Sequence, residues 1–258
     1  MDFIKIVTKL LHSDQISEKR KQRRIERFAE VLTSRNSHPV APGNLIAKEP
    51  DLQLLKNFFI LIKKYLPQEL GPVLTVTSEN NWTMGHEVAR HKNEQGLNFF
   101  LDHVHTELPA EFKNILRAKT VNGWNMGHLI ARFQKGPELK AFFKSVLAYC
   151  PELLPELIDA RLDDGRQIAH LIAQFQDPDV VDYFLNMLGE YDKQYNTNLR
   201  VNVLAPSLRS DWHIGFFIAE RKDHRESVIN YLNQLQQFAP KELSRILEAT
   251  TTEGWHLG

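Results

Sequence analysis

The chain has 258 residues, with 32 Lys and Arg balanced by 32 Asp and Glu, and 42% of its residues are apolar. This composition predicts a soluble folded protein, because no run approaches the roughly 18 to 20 uncharged apolar residues that a membrane-spanning helix needs. The single cysteine, Cys150, excludes an internal disulfide framework and a cysteine-based zinc cluster, so a reducing, cytoplasmic compartment is predicted.

The N-terminal segment, residues 1–36, is predicted to form a helical cap. Apolar residues recur at helical spacing over residues 3–11 and again over residues 25–32. A basic patch lies between these two stretches: Lys19, Arg20, Lys21, Arg23 and Arg24. Such a patch could attach the chain to nucleic acid or to an anionic membrane. We favour the outer face of a capping helix, because acidic residues interrupt the patch and the chain as a whole is not basic.

A ten-residue motif recurs along the rest of the chain, residues 37–258. It reads "PVAPGNLIAK", "NWTMGHEVAR", "GWNMGHLIAR", "GRQIAHLIAQ", "DWHIGFFIAE" and finally a truncated "GWHLG". One position is almost always glycine, with spacings of 42, 42, 42, 46 and 43 residues: Gly43, Gly85, Gly127, Ala169, Gly215 and Gly258. Units therefore begin near residues 39, 81, 123, 165 and 211, and a sixth is truncated at residues 254–258. Because the sixth stops where its helix should begin, we expect the chain to be part of a longer protein.

Each unit contains two further helical patterns after the motif. An apolar stretch such as "LKAFFKSVLAYCP" comes first, followed by a short segment such as "PAEFKNIL", whose proline suits the first turn of a helix. Units of this size cannot bury their apolar faces alone, so they must stack on one another. The predicted fold is therefore all-α, an α-solenoid of about five 42-residue repeats, each made of helix, helix and short helix, behind the N-terminal cap. The four extra residues of the fourth unit are predicted to lie in a loop within "EYDKQYNTNLRVNVLAPSLRSDW".

The run "DDGRQIAHLIAQF" resembles the ankyrin signature, in which Asp-Gly precedes Thr-Pro-Leu-His and a helix of small residues. Four residues match the signature position by position: Asp164, Gly165, His170 and Ala173. The resemblance implies that the recurring histidine hydrogen-bonds the backbone of the neighbouring turn, and that Thr83 and Asn125 cap helices. The period of 42 residues is longer than the ankyrin period of 33. Divergent repeats of this kind also resemble effectors that intracellular bacteria deliver into host cells, which implies the cytosol of a host.

The recurring glycine and histidine are interpreted as structural. A glycine retained at one helical position indicates a close approach between helices, with a hinge or a ligand contact as the alternative. Histidines that occur once per unit are a unit's width apart, so they cannot converge on one ion, and no metal site is expected. The residues assigned to this structural motif are Gly85, His86, Gly127, His128, Ala169, His170 and Gly215.

Tryptophan occupies another fixed position of the motif: Trp82, Trp124, Trp212 and Trp255. Such a row could wedge each turn against the next unit, or it could present an aromatic surface to a peptide. Arg166 stands at this position in the fourth unit, where a wedge would not favour a charge. Both interpretations stay open, and Trp82, Trp124, Trp212 and Arg166 are candidate partner-binding residues.

Charge is distributed unevenly between the third and fourth units. Residues 109–150 hold seven Lys and Arg against two Asp and Glu, whereas residues 151–192 hold two against ten. A step of this size between stacked units would steer a charged partner, although a solvated face also carries such charges. The candidate acidic residues flank the first helix of the fourth unit: Asp159, Asp163, Asp164, Asp177, Asp179 and Asp182. They predict a partner protein with a basic surface.

The predicted function is a non-enzymatic scaffold that recruits a partner protein or blocks it sterically. The sequence carries no phosphate-binding loop, dinucleotide turn or serine-nucleophile motif, so no catalytic residue and no cofactor is predicted. The alternative is that the chain is the helical-repeat region of a larger enzyme whose catalytic part lies beyond residue 258. Reading the coding sequence past that residue would separate the two.

Overall fold

The computed structural model describes residues 17–33, 42–204, 213–221 and 225–248, and every regular element in them is helical. The α-helices in chain order are α1 (Glu18–Thr33), α2 (Pro42–Lys48), α3 (Leu52–Tyr65), α4 (Leu70–Thr75), α5 (Met84–His91), α6 (Glu94–Glu107), α7 (Pro109–Arg117), α8 (Met126–Phe133), α9 (Gly136–Tyr149), α10 (Leu154–Asp159), α11 (Ile168–Phe175), α12 (Pro178–Tyr195), α13 (Leu199–Leu204), α14 (Ile214–Ala219), α15 (Arg225–Phe238) and α16 (Pro240–Glu248). Three short 3₁₀ turns accompany them at Pro67–Glu69, Glu79–Asn81 and Pro151–Leu153.

Local sequence explains where these helices start. Helix α8 begins after Asn125, whose side-chain oxygen accepts the His128 N–H at 3.0 Å. Helix α6 begins in the same way after Asn93, which accepts the Gly96 N–H at 3.0 Å. Such caps satisfy N–H groups that have no partner inside the helix. Helices α7, α12 and α16 instead begin with proline, which needs no hydrogen bond at that position.

The helices pack in two series. The first row, α2, α5, α8, α11 and α14, comes from the recurring motif, and each member contacts the next. The second row is α3, α6, α9, α12 and α15, in which α6 packs on α9 and α12 packs on α15. Four apolar residues at one register begin first-row helices and are buried between them: Met84, Met126, Ile168 and Ile214. We call each contact between consecutive first-row helices a joint.

The extra residues of the fourth unit do not form the predicted loop. Helix α12 has 18 residues, whereas α3, α6, α9 and α15 have 14 each. The insertion therefore adds one helical turn, which ends at Asn196 in the left-handed conformation (φ 52°). The sequence from Tyr191 to Tyr195 contains no glycine or proline that would stop the helix earlier.

Part of the predicted cap and of the tryptophan row lies outside the described residues. This applies to residues 1–16 and 34–36, to Trp212 and Trp255, and to the truncated motif at residues 254–258. Helix α1 is the described part of the predicted cap, and it contacts α2 and α4. Among the described helices, none combines the length and the apolar character needed to cross a bilayer.

Candidate binding surface

The recurring histidines lie at the joints and are completely buried. In the joint between α5 and α8, the backbone N–H of Thr83 donates to Nδ1 of His86 at 3.0 Å. The ring proton is therefore on Nε2, which lies 3.1 Å from both Ala118 O and Trp124 O. The His86 side chain, at the start of α5, thus donates to the backbone of the turn that precedes α8.

The neighbouring joints vary this arrangement. Nε2 of His128 lies 3.1 Å from Ala160 O, which is the same connection one period later. In the preceding period Asn44 stands at the histidine position and its amide donates to Trp82 O at 3.2 Å. His170 accepts from the Gln167 N–H at 3.1 Å, but its Nε2 has no hydrogen-bond partner among the described residues. Residues 205–212, which include the turn that follows His170 one period later, lie outside the described residues.

Burial keeps these three rings neutral. Removal from water disfavours the imidazolium form, and it lowers the pKa of His86 and His128 to about 4 and that of His170 to about 3. Backbone carbonyls that accept from His86 and His128 raise the pKa and partly offset the effect of burial. In His86 and His128 a backbone carbonyl accepts the one ring proton and the other ring nitrogen accepts a backbone N–H, so neither nitrogen is free for a ligand.

The recurring glycine lies where two helices approach closely. A Cβ on Gly127 would be 2.5 Å from the Ile168 side chain and 3.1 Å from that of Phe142. A Cβ on Gly85 would be 2.9 Å from the side chain of Ile115. Gly215 is similarly close to Tyr231, at 2.4 Å. Ala169 carries a Cβ at this register and is buried.

The turns that precede α5, α8 and α11 are closed by the same pair of backbone hydrogen bonds. In the middle turn, the Thr120 N–H donates to Trp124 O at 2.9 Å and the Gly123 N–H donates to Thr120 O at 3.0 Å. The same two bonds close the turns at residues 78–82 and 162–166. Gly123 has a positive φ of 82°, and a Cβ there would be 2.6 Å from Arg161 O of the following turn. The turns therefore stand side by side as a row.

Trp82 and Trp124 leave these turns half-buried against the core. Each ring lies near the histidine of its own helix, at centroid distances of 5.8 Å for Trp82–His86 and 6.2 Å for Trp124–His128. Both side chains remain partly exposed. The two tryptophans therefore pack against the core and also contribute surface. Arg166, at their register in the next turn, pairs with Asp164 at 2.7 Å.

An alternating series of rings and guanidinium groups runs alongside the tryptophans. The Arg90 guanidinium lies 5.6 Å from the Trp82 ring centroid and 4.7 Å from that of Phe133. The Arg132 guanidinium lies 5.6 Å from the Phe133 centroid and 3.6 Å from that of Phe175. We call these five residues, Trp82, Arg90, Phe133, Arg132 and Phe175, the ring–guanidinium stack. It extends over three consecutive first-row helices.

The stack was not predicted from the sequence, although the sequence carries a signal for it. Arg90 and Arg132 are 42 residues apart, as are Phe133 and Phe175. Unlike the glycine of the motif, these residue types recur in only two units and vary in the others, which is the pattern expected of a surface.

Two open cavities flank the stack. One, of about 330 Å³, lies between Trp82 and Trp124 and is also lined by Arg90, Val121 and Phe133. Val121 is 54% exposed and Phe133 is 46% exposed. The second, of about 580 Å³, continues past Trp82 and Arg90 to Lys48 and Glu87. We call the two cavities together the turn groove.

Part of the charge step between the third and fourth units is used in ion pairs between neighbouring periods. Three cations of the basic segment pair with three carboxylates of the acidic one: Lys113 with Glu152 at 2.6 Å, Arg117 with Glu156 at 2.8 Å and Lys140 with Asp179 at 3.0 Å. These pairs are solvent-exposed, so each contributes little to stability. They do neutralise charge that would otherwise face a partner.

The six candidate aspartates divide into two sets. Asp164 pairs with Arg166, and this pair holds its pKa below the ordinary value even though burial acts to raise it. Asp182 accepts from the Asn230 amide at 3.1 Å, and burial raises its pKa. With Asp179 on Lys140, three of the six are engaged. The other three are exposed and form no ion pair with a described residue: Asp159, Asp163 and Asp177.

The remaining reactive groups of the described residues are buried or scattered. Burial, together with the charge of nearby Glu152, raises the pKa of the Cys150 thiol to about 11, which disfavours the nucleophilic thiolate. No group of three or more His, Cys, Asp and Glu residues within the described ranges could hold a metal ion.

Comparison with known proteins gives no relative. No model of a protein family matches the sequence, and no curated protein is significantly similar to it.

Proposed function

We propose that the chain is a protein-binding scaffold, an ankyrin-like α-solenoid of about five 42-residue repeats that recruits a partner protein or blocks it sterically. Three features support this architecture. First-row helices contact one another in series, motif residues connect each helix to the following turn, and the turns stand in a row. In stacked repeats of this kind, each repeat contacts mainly its neighbours, and an extended surface remains for binding.

One observation carries the proposal. The recurring polar residues are used inside the joints, whereas half-exposed aromatic residues collect in the turn groove. Trp82, Trp124 and Phe133 face a cavity there together with exposed Val121. Clustered aromatic side chains in a concave surface are typical of the centre of a protein interface. The groove is also open and shallow, as a polypeptide partner requires.

The acidic residues provide the second part of the proposed surface. Asp159 and Asp163 lie in or beside the turn that precedes α11. Asp177 lies at the other end of α11, just before α12 begins. Because these three carboxylates form no ion pair with any residue in the described ranges, they are the members of the acidic set that can steer a partner with a basic surface.

A pull-down experiment tests this proposal. The tagged chain is compared with a triple variant, Asp159→Lys, Asp163→Lys and Asp177→Lys, for recovery of partner protein from the native cytosol. We expect at least a tenfold loss of the specific partner with unchanged circular dichroism. A control triple variant, Glu69→Lys, Glu94→Lys and Glu248→Lys, makes the same charge change elsewhere and should retain the partner.

Two results would contradict the proposal. Full recovery by the Asp159, Asp163 and Asp177 variant would remove the acidic residues from the binding surface. Failure of the unmodified chain to enrich any protein above a scrambled-bait control would remove the scaffold function itself.

A further inference from the structure

Arg90 and Arg132 are two exposed cations of the turn groove and the stack. Burial raises the pKa of Glu87, and the charge of Arg90 acts in the opposite direction without forming an ion pair with it. Both arginine side chains are exposed, and neither forms an ion pair or a side-chain hydrogen bond with a described residue. The guanidinium carbon of Arg90 lies 4.7 Å from the Phe133 ring centroid, and that of Arg132 lies 3.6 Å from the Phe175 ring centroid. The stack thus holds two cations beside aromatic rings, and neither cation forms an ion pair with a described residue.

A stacked guanidinium is a receptor for a carboxylate. Its N–H donors form a planar fork that matches the two oxygens of a carboxylate, and the resulting pair of charge-assisted hydrogen bonds is stronger than neutral ones. The ring contacts restrict the long side chain before any ligand arrives, so less rotamer freedom is lost on binding. The two guanidinium groups lie on consecutive helices of the first row, Arg90 on α5 and Arg132 on α8.

The cavity beside Arg90 accommodates an apolar group. Its volume of about 330 Å³ is bordered by Trp82, Trp124, Val121 and Leu129. Asn80, Thr120 and Asn122 line the same cavity and supply donors and acceptors that suit a peptide backbone. The cavity therefore fits one large apolar side chain of an extended segment whose backbone runs along the turns.

The distance between the two forks sets the spacing of the ligand. Packed helices lie about 8 to 10 Å apart. An extended chain advances about 3.3 Å per residue. Two carboxylates about three residues apart would therefore reach Arg90 and Arg132 together, with the apolar side chain close to the first of them.

A peptide fits this surface better than a nucleic acid. Glu79 lies on the turn groove, and Asp163 and Asp164 lie on the next turn of the row, so a continuous line of phosphates would meet carboxylates at both ends. The faces of Phe133 toward its neighbours are already covered by guanidinium groups, which leaves no free platform there for stacked bases. Discrete carboxylates on a peptide avoid both problems.

We propose that the turn groove binds an extended acidic segment of the partner protein, with carboxylates on Arg90 and Arg132 and an apolar side chain between Trp82 and Trp124. This inference rests on the proposed scaffold function and names the chemistry of the partner segment that the groove takes. It assigns the acidic segment to the groove, and it leaves the basic part of the partner to the exposed aspartates.

Selection from random 12-residue peptides displayed on phage tests the proposal with the full chain as bait. We expect enrichment of sequences that hold two Asp or Glu residues two to four positions apart beside a large apolar residue. A peptide made from an enriched sequence should bind at least tenfold more weakly to Arg90→Gln/Arg132→Gln, as measured by fluorescence polarisation. The matched control Lys113→Gln/Arg117→Gln removes the same charge outside the groove and should change the affinity less than twofold.

Two further variants separate charge from geometry. Arg90→Lys/Arg132→Lys keeps both charges but loses the planar forks, and we expect an intermediate loss of about threefold to fivefold. Trp124→Ala should weaken binding of the same peptide, because it removes one wall of the cavity. Thermal denaturation of every variant is followed by circular dichroism, and only variants that retain the unmodified melting curve are compared.

Three outcomes would overturn the inference. These are selection of basic or uncharged sequences, equal binding of acidic peptides by Arg90→Gln/Arg132→Gln, and binding of a 15-residue oligo(dT) that depends on the two arginines while acidic peptides fail. The pull-down experiment separates this inference from the scaffold function. If Arg90→Gln/Arg132→Gln recovers the native partner fully and no acidic peptide is selected, the scaffold remains and the acidic-segment inference fails.

Discussion

The joint that His128 forms and the joint that His170 forms use the same residue at the same register, but different contacts are described at the two. His128 reaches forward to Ala160 O at 3.1 Å, whereas Nε2 of His170 has no partner among the described residues, which leave out residues 205–212 of the following turn. The small residue also differs, since Gly127 lies against Ile168 and the next joint has Ala169. Three measurements test whether the two joints also differ in stability.

Acidification should have the largest effect. The folded chain keeps His86, His128 and His170 neutral, with pKa values lowered to about 4, 4 and 3 from an ordinary 6.5. Below pH 6.5 the unfolded chain binds more protons than the folded one, so stability falls as the pH falls toward these values. Each histidine costs about 1.4 kcal/mol per pH unit, which is roughly 6 kcal/mol for the three at about pH 5. Urea denaturation between about pH 7.5 and pH 4.5 measures this slope.

A natural substitution provides the control for the acid effect. Asn44 makes the forward hydrogen bond to Trp82 O without a titratable ring. We therefore expect His128→Asn to retain the contact between the helices and to reduce the slope of the unfolding free energy against pH by the share of one histidine. His170→Asn should reduce the slope by a similar amount. An unchanged slope in both variants would mean that other groups cause the acid sensitivity.

Alanine substitution of the two histidines should have the next largest effect. His128→Ala removes a buried ring and leaves Ala160 O and the Asn125 N–H without their partners, so we expect a loss of about 3 kcal/mol. His170→Ala loses the ring and the partner of the Gln167 N–H alone, for about 2 kcal/mol. Chemical denaturation at pH 7.5 measures both. Equal losses would show that the forward hydrogen bond contributes nothing to the difference between the joints.

Exchange of the small residues should have the smallest effect. Gly127→Ala places a Cβ about 2.5 Å from Ile168, and overpacking of this kind costs about 1 to 2 kcal/mol after the side chains shift. Ala169→Gly removes a methyl group from a helix and costs about 1 kcal/mol through helix propensity. We expect both variants to melt at a lower temperature than the unmodified protein, as measured by thermal denaturation. A stabilised Gly127→Ala variant would contradict the close approach.

The helical class of the fold followed from the sequence because apolar spacing and capping residues act locally. Asn125 caps the start of α8, and Pro109 is the first residue of α7, as the capping residue and the proline position predicted. The four-residue insertion was placed wrongly in a loop, because the spacing of a repeat shows that residues were added without showing whether a helix or a loop absorbs them.

The candidate surface was harder to predict, since it depends on which side chains face one another across a joint. Six aspartates looked equivalent in the sequence, but the offset between stacked helices brings Lys140 to Asp179 and leaves Asp177 without a cation. The same offset places Arg90 between rings from two different units. Such pairings depend on three-dimensional distances of a few ångströms that one-dimensional spacing does not contain.

The C-terminal ends of the first-row helices are completed by residues that come later in the chain. Gln176 donates to Ala131 O and Gln134 O of the preceding helix, at 2.8 and 2.9 Å. Gln134 and Lys92 make the equivalent backward bond to Arg90 O and Glu49 O. A shortened version of the protein that stops at the end of a first-row helix would therefore leave open carbonyl groups that the intact chain closes. Each backward donor itself follows the end of the next first-row helix, so a cut after any donor opens the carbonyls at that helix end, and a stable shortened version needs a substitute capping residue there.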